Sequence, residues 1–378
     1  MTFGSGISNA SSAGRALDTA LGQALAPFDS PPDLGFVFAT SHHADAADDL
    51  AEAVDRVAGI GVGAVAEGVI GNAIEIEEGP GLAVWLGSLP GAHIRADHLE
   101  AVRTPRGITI GGVASLDGVV GSVLVADPFT FPTGGFIAEL ADGGIPVVGG
   151  FANTGRGPGG AALMVRGAVR SNGALAVTFA GEVGFRPVVS QGCRPIGDPA
   201  VITASEGTTV NEIAGRSALR YLRELLTGLD AEERAAAARG LQVGVAADEY
   251  KMDRGAGDFL IRGITSVDET TGAVAVGDHL DVGTTIQFQV RDAGAADEEL
   301  RRLIAGITDP GGMLLFSCNA RGAGLFGTPH HDAAAVAEEI SPPALAGMFA
   351  AGEIGPVGTA NHVHTFTASM LEVRENAG

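Results

Sequence analysis

Met313-Leu-Leu-Phe-Ser317 is an apolar run that leads into the polar loop Cys318–His330 and a helical stretch from His331 to about Ile340. A second apolar run, Ala344–Ala351, follows, then the glycine-rich turn Gly352-Glu-Ile-Gly-Pro-Val-Gly358 and a last strand at His364–Val373. Two short apolar strands joined through a helix predict a parallel crossover, the unit from which α/β folds are built. Working back along the chain, the same order stands at Val120. Strand Val123–Ala126 precedes the loop Asp127–Thr133, a short helix at Gly135–Ala141, the strand Pro146–Ala152, a glycine turn through Gly160 and the strand Ala161–Val169. Pro146-Val-Val-Gly-Gly-Phe-Ala152 and Leu345-Ala-Gly-Met-Phe-Ala-Ala351 occupy one slot in the two copies.

The order begins still earlier. Strand Leu34–Thr40 leads through His42-His43-Ala-Asp45 to a helix with Ala47, Leu50, Ala51, Val54 and Val57 on one face at the helical period. Strand Ile60–Ala66, a turn with Gly68 and Gly71, and strand Gly81–Leu89 complete it. A looser fourth version is expected at Leu241–Ala246, Asp258–Val267 and Thr284–Val290, after a long helix from about Thr208 to Leu229. The expected fold is α/β, with mixed sheets carrying packed helices. It divides into two related domains of repeated strand–helix–strand–strand units, 33–207 and 208–378, behind an extension at 1–32.

Composition narrows the partners. The 378 residues carry 45 acidic against 23 basic side chains, a formal charge of −22. Such a surface repels phosphate backbones, so neither nucleic acid nor an anionic membrane is expected as a partner. Hydrophobic residues make up 46%, enough for sizeable cores. Cys193 and Cys318 give no disulfide framework, residues 1–30 lack a basic region followed by an apolar run, and no window nears ~18 uninterrupted apolar residues. A cytoplasmic location is expected.

The mechanistic motifs are mostly missing. Gly155-x-Gly157-x-x-Gly160 has the letters of a dinucleotide fingerprint, but the next segment reads as a strand rather than the helix whose N-terminus would meet a pyrophosphate. There is no GxxxxGK[ST], HExxH, GxSxG or CxxC, and no cofactor is expected. His42-His43 and His330-His331 precede helices containing Asp45 and Asp332, a place for an anion or for plain capping. His362 and His364 alternate on the last strand, but no carboxylate or cysteine spacing completes a metal set. Cys318 ends an apolar strand near Arg321, where packing competes with a nucleophile's role.

The C-terminal polar residues read better as a recognition site. Arg321 offers a planar fork, His331 opens a helix, Glu353 can take an ammonium or hydroxyl, and Asn319, Asn361 and His364 add neutral donors and acceptors. These six are the expected ligand-binding residues, converging at the C-terminal end of Met313–Ser317 on an amino acid or organic acid. No catalytic residue is assigned. The alternative is an enzyme acting on a small metabolite through Cys318 with a histidine and Glu353.

Leu314-Leu-Phe-Ser-Cys-Asn-Ala-Arg-Gly322, Leu325-Phe-Gly327 and Asp332 resemble the FIST C-terminal domain, as does Phe349-Ala-Ala-Gly-Glu-Ile-Gly-Pro-Val-Gly358 with Asn361, His364 and Phe366-Thr-Ala-Ser369. Gly192-Cys-Arg-Pro-Ile-Gly197 and the N-terminal half resemble the FIST N-terminal domain. The resemblance runs from Leu34 onward and departs at Thr365, where glycine is expected before Phe366. It implies a sensory module that binds a small ligand, with a downstream signalling protein as second partner. Residues 1–30 are too short and polar to be an attached output module.

Overall fold

The computed structural model describes residues 1–105, 107–152, 157–307, 311–340 and 344–376. The chain opens with β1 (Thr2–Ser8) and α1 (Ala13–Leu25). It continues through β2 (Leu34–Thr40), α2 (Ala47–Val57), β3 (Ile60–Ala66), the hairpin β4 (Val69–Gly71) and β5 (Ile74–Ile76), and β6 (Leu82–Ser88). After β7 (Ala92–Thr104) and β8 (Gly107–Gly111) the order returns as β9 (Val119–Ala126), α3 (Thr133–Asp142), β10 (Val147–Phe151), the hairpin β11 (Leu163–Val165) and β12 (Ala168–Arg170), β13 (Ala174–Gly181) and β14 (Gly184–Gln191).

The middle of the chain holds β15 (Cys193–Pro195), β16 (Ala200–Glu206), β17 (Thr209–Ile213), β18 (Arg216–Ser217), α4 (Ala218–Gly228) and α5 (Ala231–Gly240). Next come β19 (Leu241–Ala246), β20 (Phe259–Val267), β21 (Val274–Val276), β22 (Thr285–Arg291) and α6 (Ala293–Ile304). The third return is β23 (Gly312–Cys318), α7 (Gly322–Phe326), α8 (His331–Glu339), β24 (Ala344–Ala350), the hairpin β25 (Glu353–Val357) and β26 (Ala360–His364), and β27 (Thr367–Arg374).

The three returns share one topology. In each, the first strand pairs in parallel with the strand after the helix: β2 with β3, β9 with β10, β23 with β24. On its other edge it pairs antiparallel with the last strand: β6, β13 and β27. The hairpin does not stay at home. The β4–β5 hairpin extends the sheet of β24, β11–β12 that of β3, and β25–β26 that of β10. Each unit therefore lends its hairpin to one neighbour and borrows from the other, in a closed cycle. The sheet orders match strand for strand: β1-β6-β2-β3-β11-β12, β7-β13-β9-β10-β25-β26 and β14-β27-β23-β24-β4-β5, with β8 added beyond β7.

One glycine recurs in the same lattice position of each sheet. Gly63, Gly149 and Gly347 lie opposite Met164, Ile354 and Ile70 of the borrowed hairpins. A Cβ at any of them would overlap the carbonyl oxygen of Val37, Leu124 or Leu315 on the parallel neighbour. That close approach requires glycine in all three.

Apolar runs without alternation fit strands buried on both faces. On β2, Leu34, Phe36 and Phe38 face a core that also holds Trp85, Val123, Phe179, Phe316 and Met348 from all three sheets. Val37 and Ala39 point the other way, into a cluster with Leu50 and Val54 of α2 and Ala16 and Ala20 of α1. Helix α3 covers the second sheet with Phe136, Ile137 and Leu140, and α6 and α8 cover the third with Leu300, Ile304 and Val336. Three sheets share one interior and wear their helices outside. Among the described residues no helix is long and apolar enough to cross a membrane.

The molecule is an α/β protein of two compact units. The first comprises Met1–Ser190, Leu300–Val363 and Thr367–Gly378, and the second Gln191–Glu299 with His364–Phe366. The second is all-antiparallel: β22-β16-β17-β21-β20-β19 closes back onto β22, and β15 and β18 attach to β22 and β17. The expected fourth copy is therefore a barrel, because β19 pairs antiparallel with both neighbours and no crossover helix separates them. The expected helix Thr208–Leu229 begins only at Ala218. Thr209 and Val210 are β-branched and pair in a sheet, and the turn at Ala214 and Gly215 has positive φ.

Other boundaries shift for similar reasons. Gly352–Gly358 is mostly the strand β25, not a turn, since its backbone pairs with β10. The final strand breaks at Thr365-Phe366, where Phe366 has φ 63, so His362 and His364 belong to β26 rather than to the last strand, β27. In the fingerprint, Gly155 and Arg156 lie outside the described residues. Gly157–Gly160 lead into strand β11, as the reading against a nucleotide site requires.

Candidate functional site

Strand β23 ends at Ser317 and Cys318, and the chain then winds through α7 into α8. Two buried charges close this corner. Arg321 Nε donates to Asp332 Oδ2 at 2.8 Å and Nη2 to Oδ1 at 2.8 Å. Ser317 Oγ adds a third bond to Oδ2 at 2.8 Å, and His331 Nδ1 lies 3.1 Å from Oδ1. Arg321 holds the Asp332 carboxyl well below the ordinary aspartate range against the cost of burial. The Phe326 ring stacks on His331 and sits under the Arg321 guanidinium, 5.2 Å from its centroid.

Two more acids reach this corner from different strands. Glu353 at the start of β25 is fully buried; its Oε2 accepts from Thr367 N at 3.1 Å, and Cys318 bonds to the same carboxyl. Burial pushes Glu353 well above the ordinary carboxyl range, although Arg321 pulls it down. Glu75, on the borrowed hairpin strand β5, accepts from Ala333 N at the start of α8 through Oε1 at 2.9 Å. Its Oε2 is buried and has no hydrogen-bond partner. Burial and the nearby Asp332 push Glu75 up to about 8. Glu77, two residues on, takes the N–H of Ala323 with both oxygens, at 2.9 and 3.1 Å.

The threefold repeat shows how unusual these carboxyls are. By register, Glu353 pairs with Gly150 as Leu163 pairs with Ala64 and Val69 with Met348. Glu75 stands across its hairpin from Ile70 as Val169 stands across from Met164. The copies fill these positions with apolar side chains, the cheaper choice for a buried site.

Beside Glu75 opens a cavity of about 820 Å³. Its walls include Ser8 at the end of β1 and Asn9 after it, Thr19 and Gln23 of α1, Glu75 of the borrowed hairpin with Glu77 and Glu78 just after it, and Ala323 and His330 between β23 and α8. His330 is held in a left-handed backbone conformation, φ 68, and its Nδ1 accepts the Glu75 N–H at 3.0 Å.

The expected site residues are brought together in part. Arg321 and His331 join through Asp332, and Glu353 lies within electrostatic reach of Arg321. Asn319 follows Cys318 directly, its N–H bonded to Ala350 O and its Oδ1 buried without a hydrogen bond. The Arg321 fork, expected to grip a ligand carboxylate, already grips Asp332, and Arg321 is 1% exposed. Asn361 lies elsewhere. It accepts from Val147 N and donates to Ile137 O and Ile145 O, so its amide is spent joining β26 to β10 and α3. His364 belongs to the second unit, with Thr365, whose hydroxyl donates to Ile261 O, and Phe366, which lies under Arg291. Of the expected convergence, Arg321 and Glu353 share one corner, whereas the Asn361 amide is committed to β10 and α3.

Cys318 is buried, and its thiol lies in hydrogen-bonding reach of the Glu353 carboxyl. Glu75 and Glu77 were missed because a three-residue strand gives no readable period. The available signal was Glu75-Ile-Glu77, carboxylates alternating between two glycine-bounded apolar segments.

The model of the FIST N domain matches residues 33–216, and that of the FIST C domain matches residues 218–356. The chain is 40% identical over 383 residues to an uncharacterized protein of Mycobacterium tuberculosis, covering 98% of this chain and 99% of that one. It is likewise 40% identical over 370 residues to an uncharacterized protein of Mycobacterium bovis, covering 95% and 93%.

Proposed function

Since the chain belongs to the FIST family, whose domains point to a sensory, ligand-binding role, we propose that it is a cytoplasmic signal-transduction protein that binds a small amino acid or organic acid in the cavity beside Glu75. One observation carries this reading: a buried carboxyl with an unsatisfied oxygen stands in the wall of a cavity large enough for a metabolite. Small-ligand sites combine an enclosed volume with a few converging polar groups. Arg321, Asn319, His331 and Glu353 act here as the frame that sets the α8 N-terminus and the loop around it, rather than as direct ligand contacts.

The fold offers a route for the signal. The cavity wall is assembled from β1, α1, the β4–β5 hairpin and the β23–α8 loop, segments distant in sequence. A ligand touching all of them stabilises their mutual placement, and a downstream protein reads the result. Thermal-shift measurements against amino acids and organic acids test this. A ligand at a hundred times its Kd adds about 2.7 kcal/mol of stability, so a binder raises the melting temperature, and a panel without effect defeats the reading.

A further inference from the structure

Resting on that reading of the cavity, we propose that its ligand carries a cationic amino group and that Glu75 is the residue that binds it. The wall supplies Glu75, Glu77 and Glu78 and no arginine or lysine among the described residues. An anionic ligand would meet three carboxyls and no arginine or lysine, whereas an ammonium group meets acceptors of opposite charge.

Glu75 is the member of this set with capacity to spare. Glu77 already spends both oxygens on Ala323 N. Glu75 spends one on Ala333 N and leaves Oε2 buried and unbonded. In the equivalent hairpin the same lattice position holds Val169, so the repeat itself does not call for a carboxyl there. An unpaired buried acid is costly, and a ligand that completes it recovers that cost on binding.

Every charged group around Glu75 bears on its ionisation. Asp332 at the start of α8 and Glu77 on its own segment oppose the carboxylate, Arg321 and the Ala333 N–H favour it, and His330 meets its backbone N–H. The balance leaves Glu75 protonated in the empty protein at neutral pH. An entering R–NH3⁺ replaces that proton: the carboxyl O–H gives its proton to solvent, and the carboxylate accepts the ammonium N–H. Up to one proton is released per ligand bound.

The experiment measures thermal shifts of the full chain and of Glu75→Gln with putrescine, L-lysine and L-arginine, alongside succinate and 4-methylpentanoate, which carry no ammonium group. Calorimetric titration follows in two buffers of different ionisation enthalpy. Glutamine retains the acceptor for Ala333 N, so the variant keeps its fold. The inference expects a shift with at least one of the cations, binding at least tenfold weaker in Glu75→Gln, and a buffer-dependent heat of binding in the wild type alone. A cation that binds the variant equally well, or without proton release, overturns the role of Glu75. A shift from succinate or 4-methylpentanoate, which carry no ammonium group, but from none of the amines overturns the ligand class and leaves the binding reading standing. No shift from any of these compounds overturns the inference.

Discussion

Both nitrogens that Arg321 turns toward Asp332 lie 2.8 Å from its carboxylate oxygens, in a pair eleven residues apart and sealed from solvent. Breaking one side of such a pair strands the other charge in a dry interior. Arg321→Ala is expected to cost about 3–5 kcal/mol, measured by denaturant unfolding. A double change, Arg321→Met with Asp332→Leu, removes both charges and is expected to cost less than the single change. A double variant as damaged as the single would show that the ion pair is not what the corner depends on.

Glu75 makes stability depend on pH. Its carboxyl is raised in the folded protein from 4.5 to about 8. A raised group contributes its stability below the unfolded value and loses it as pH climbs through the folded one. Wild-type stability is expected to fall between about pH 4.5 and pH 8, by at most about 3–5 kcal/mol from this group. Glu75→Gln should flatten that fall. Asp332 works in the opposite sense: its carboxyl is depressed, so its contribution is lost only in acid, below the ordinary aspartate range. Parallel stability curves for wild type and Glu75→Gln from pH 5 to pH 9 would refute the assignment.

Cys318 is buried, with its thiol in hydrogen-bonding reach of the Glu353 carboxyl. Native alkylation at neutral pH is expected to be slow, with the rate rising on unfolding, and Cys318→Ser should cost about 1 kcal/mol. Mass spectrometry of iodoacetamide-treated native protein checks it. Rapid selective labelling of Cys318 would reopen the enzymatic alternative.

The three lattice glycines provide a test of the repeat. Alanine at Gly63, Gly149 or Gly347 forces a methyl group into the carbonyl of the neighbouring strand, and each change is expected to cost several kcal/mol, beyond the ~1 kcal/mol typical of a point mutation. Alanine at Gly134, where the space around an added Cβ is open, should be nearly neutral. Unequal responses among the three would argue against equivalent units.

Much of this architecture was readable from residues. Leu34–Thr40, Val123–Ala126 and Met313–Ser317 announce doubly covered strands because both faces are buried, and the helix between each pair enforces a parallel partner. The hairpin exchange was not readable. Val69–Gly71 and Ile74–Ile76 are too short to show alternation, and nothing local names the sheet that receives them. The site followed the same division. Arg321 stands out as a lone basic residue beside an apolar strand, but its partner Asp332 looks like an ordinary helix cap. Glu75 reaches the corner only through the exchange, from 258 residues away from its bond partner Ala333.

The lent hairpins also set an order of events for the nascent chain. The first sheet can gain β11–β12 once the second repeat has left the ribosome, but the hairpin β4–β5 docks on a strand that emerges near the C-terminus. The second sheet waits for β25–β26 in the same way. Until about residue 350 is synthesised, β10 keeps an open edge and Glu75 lacks the helix end that receives it. Such late, long-range closure slows folding and exposes strand edges to wrong pairing. A translation that stops before Ala323 leaves part of the wall of the proposed ligand site unmade.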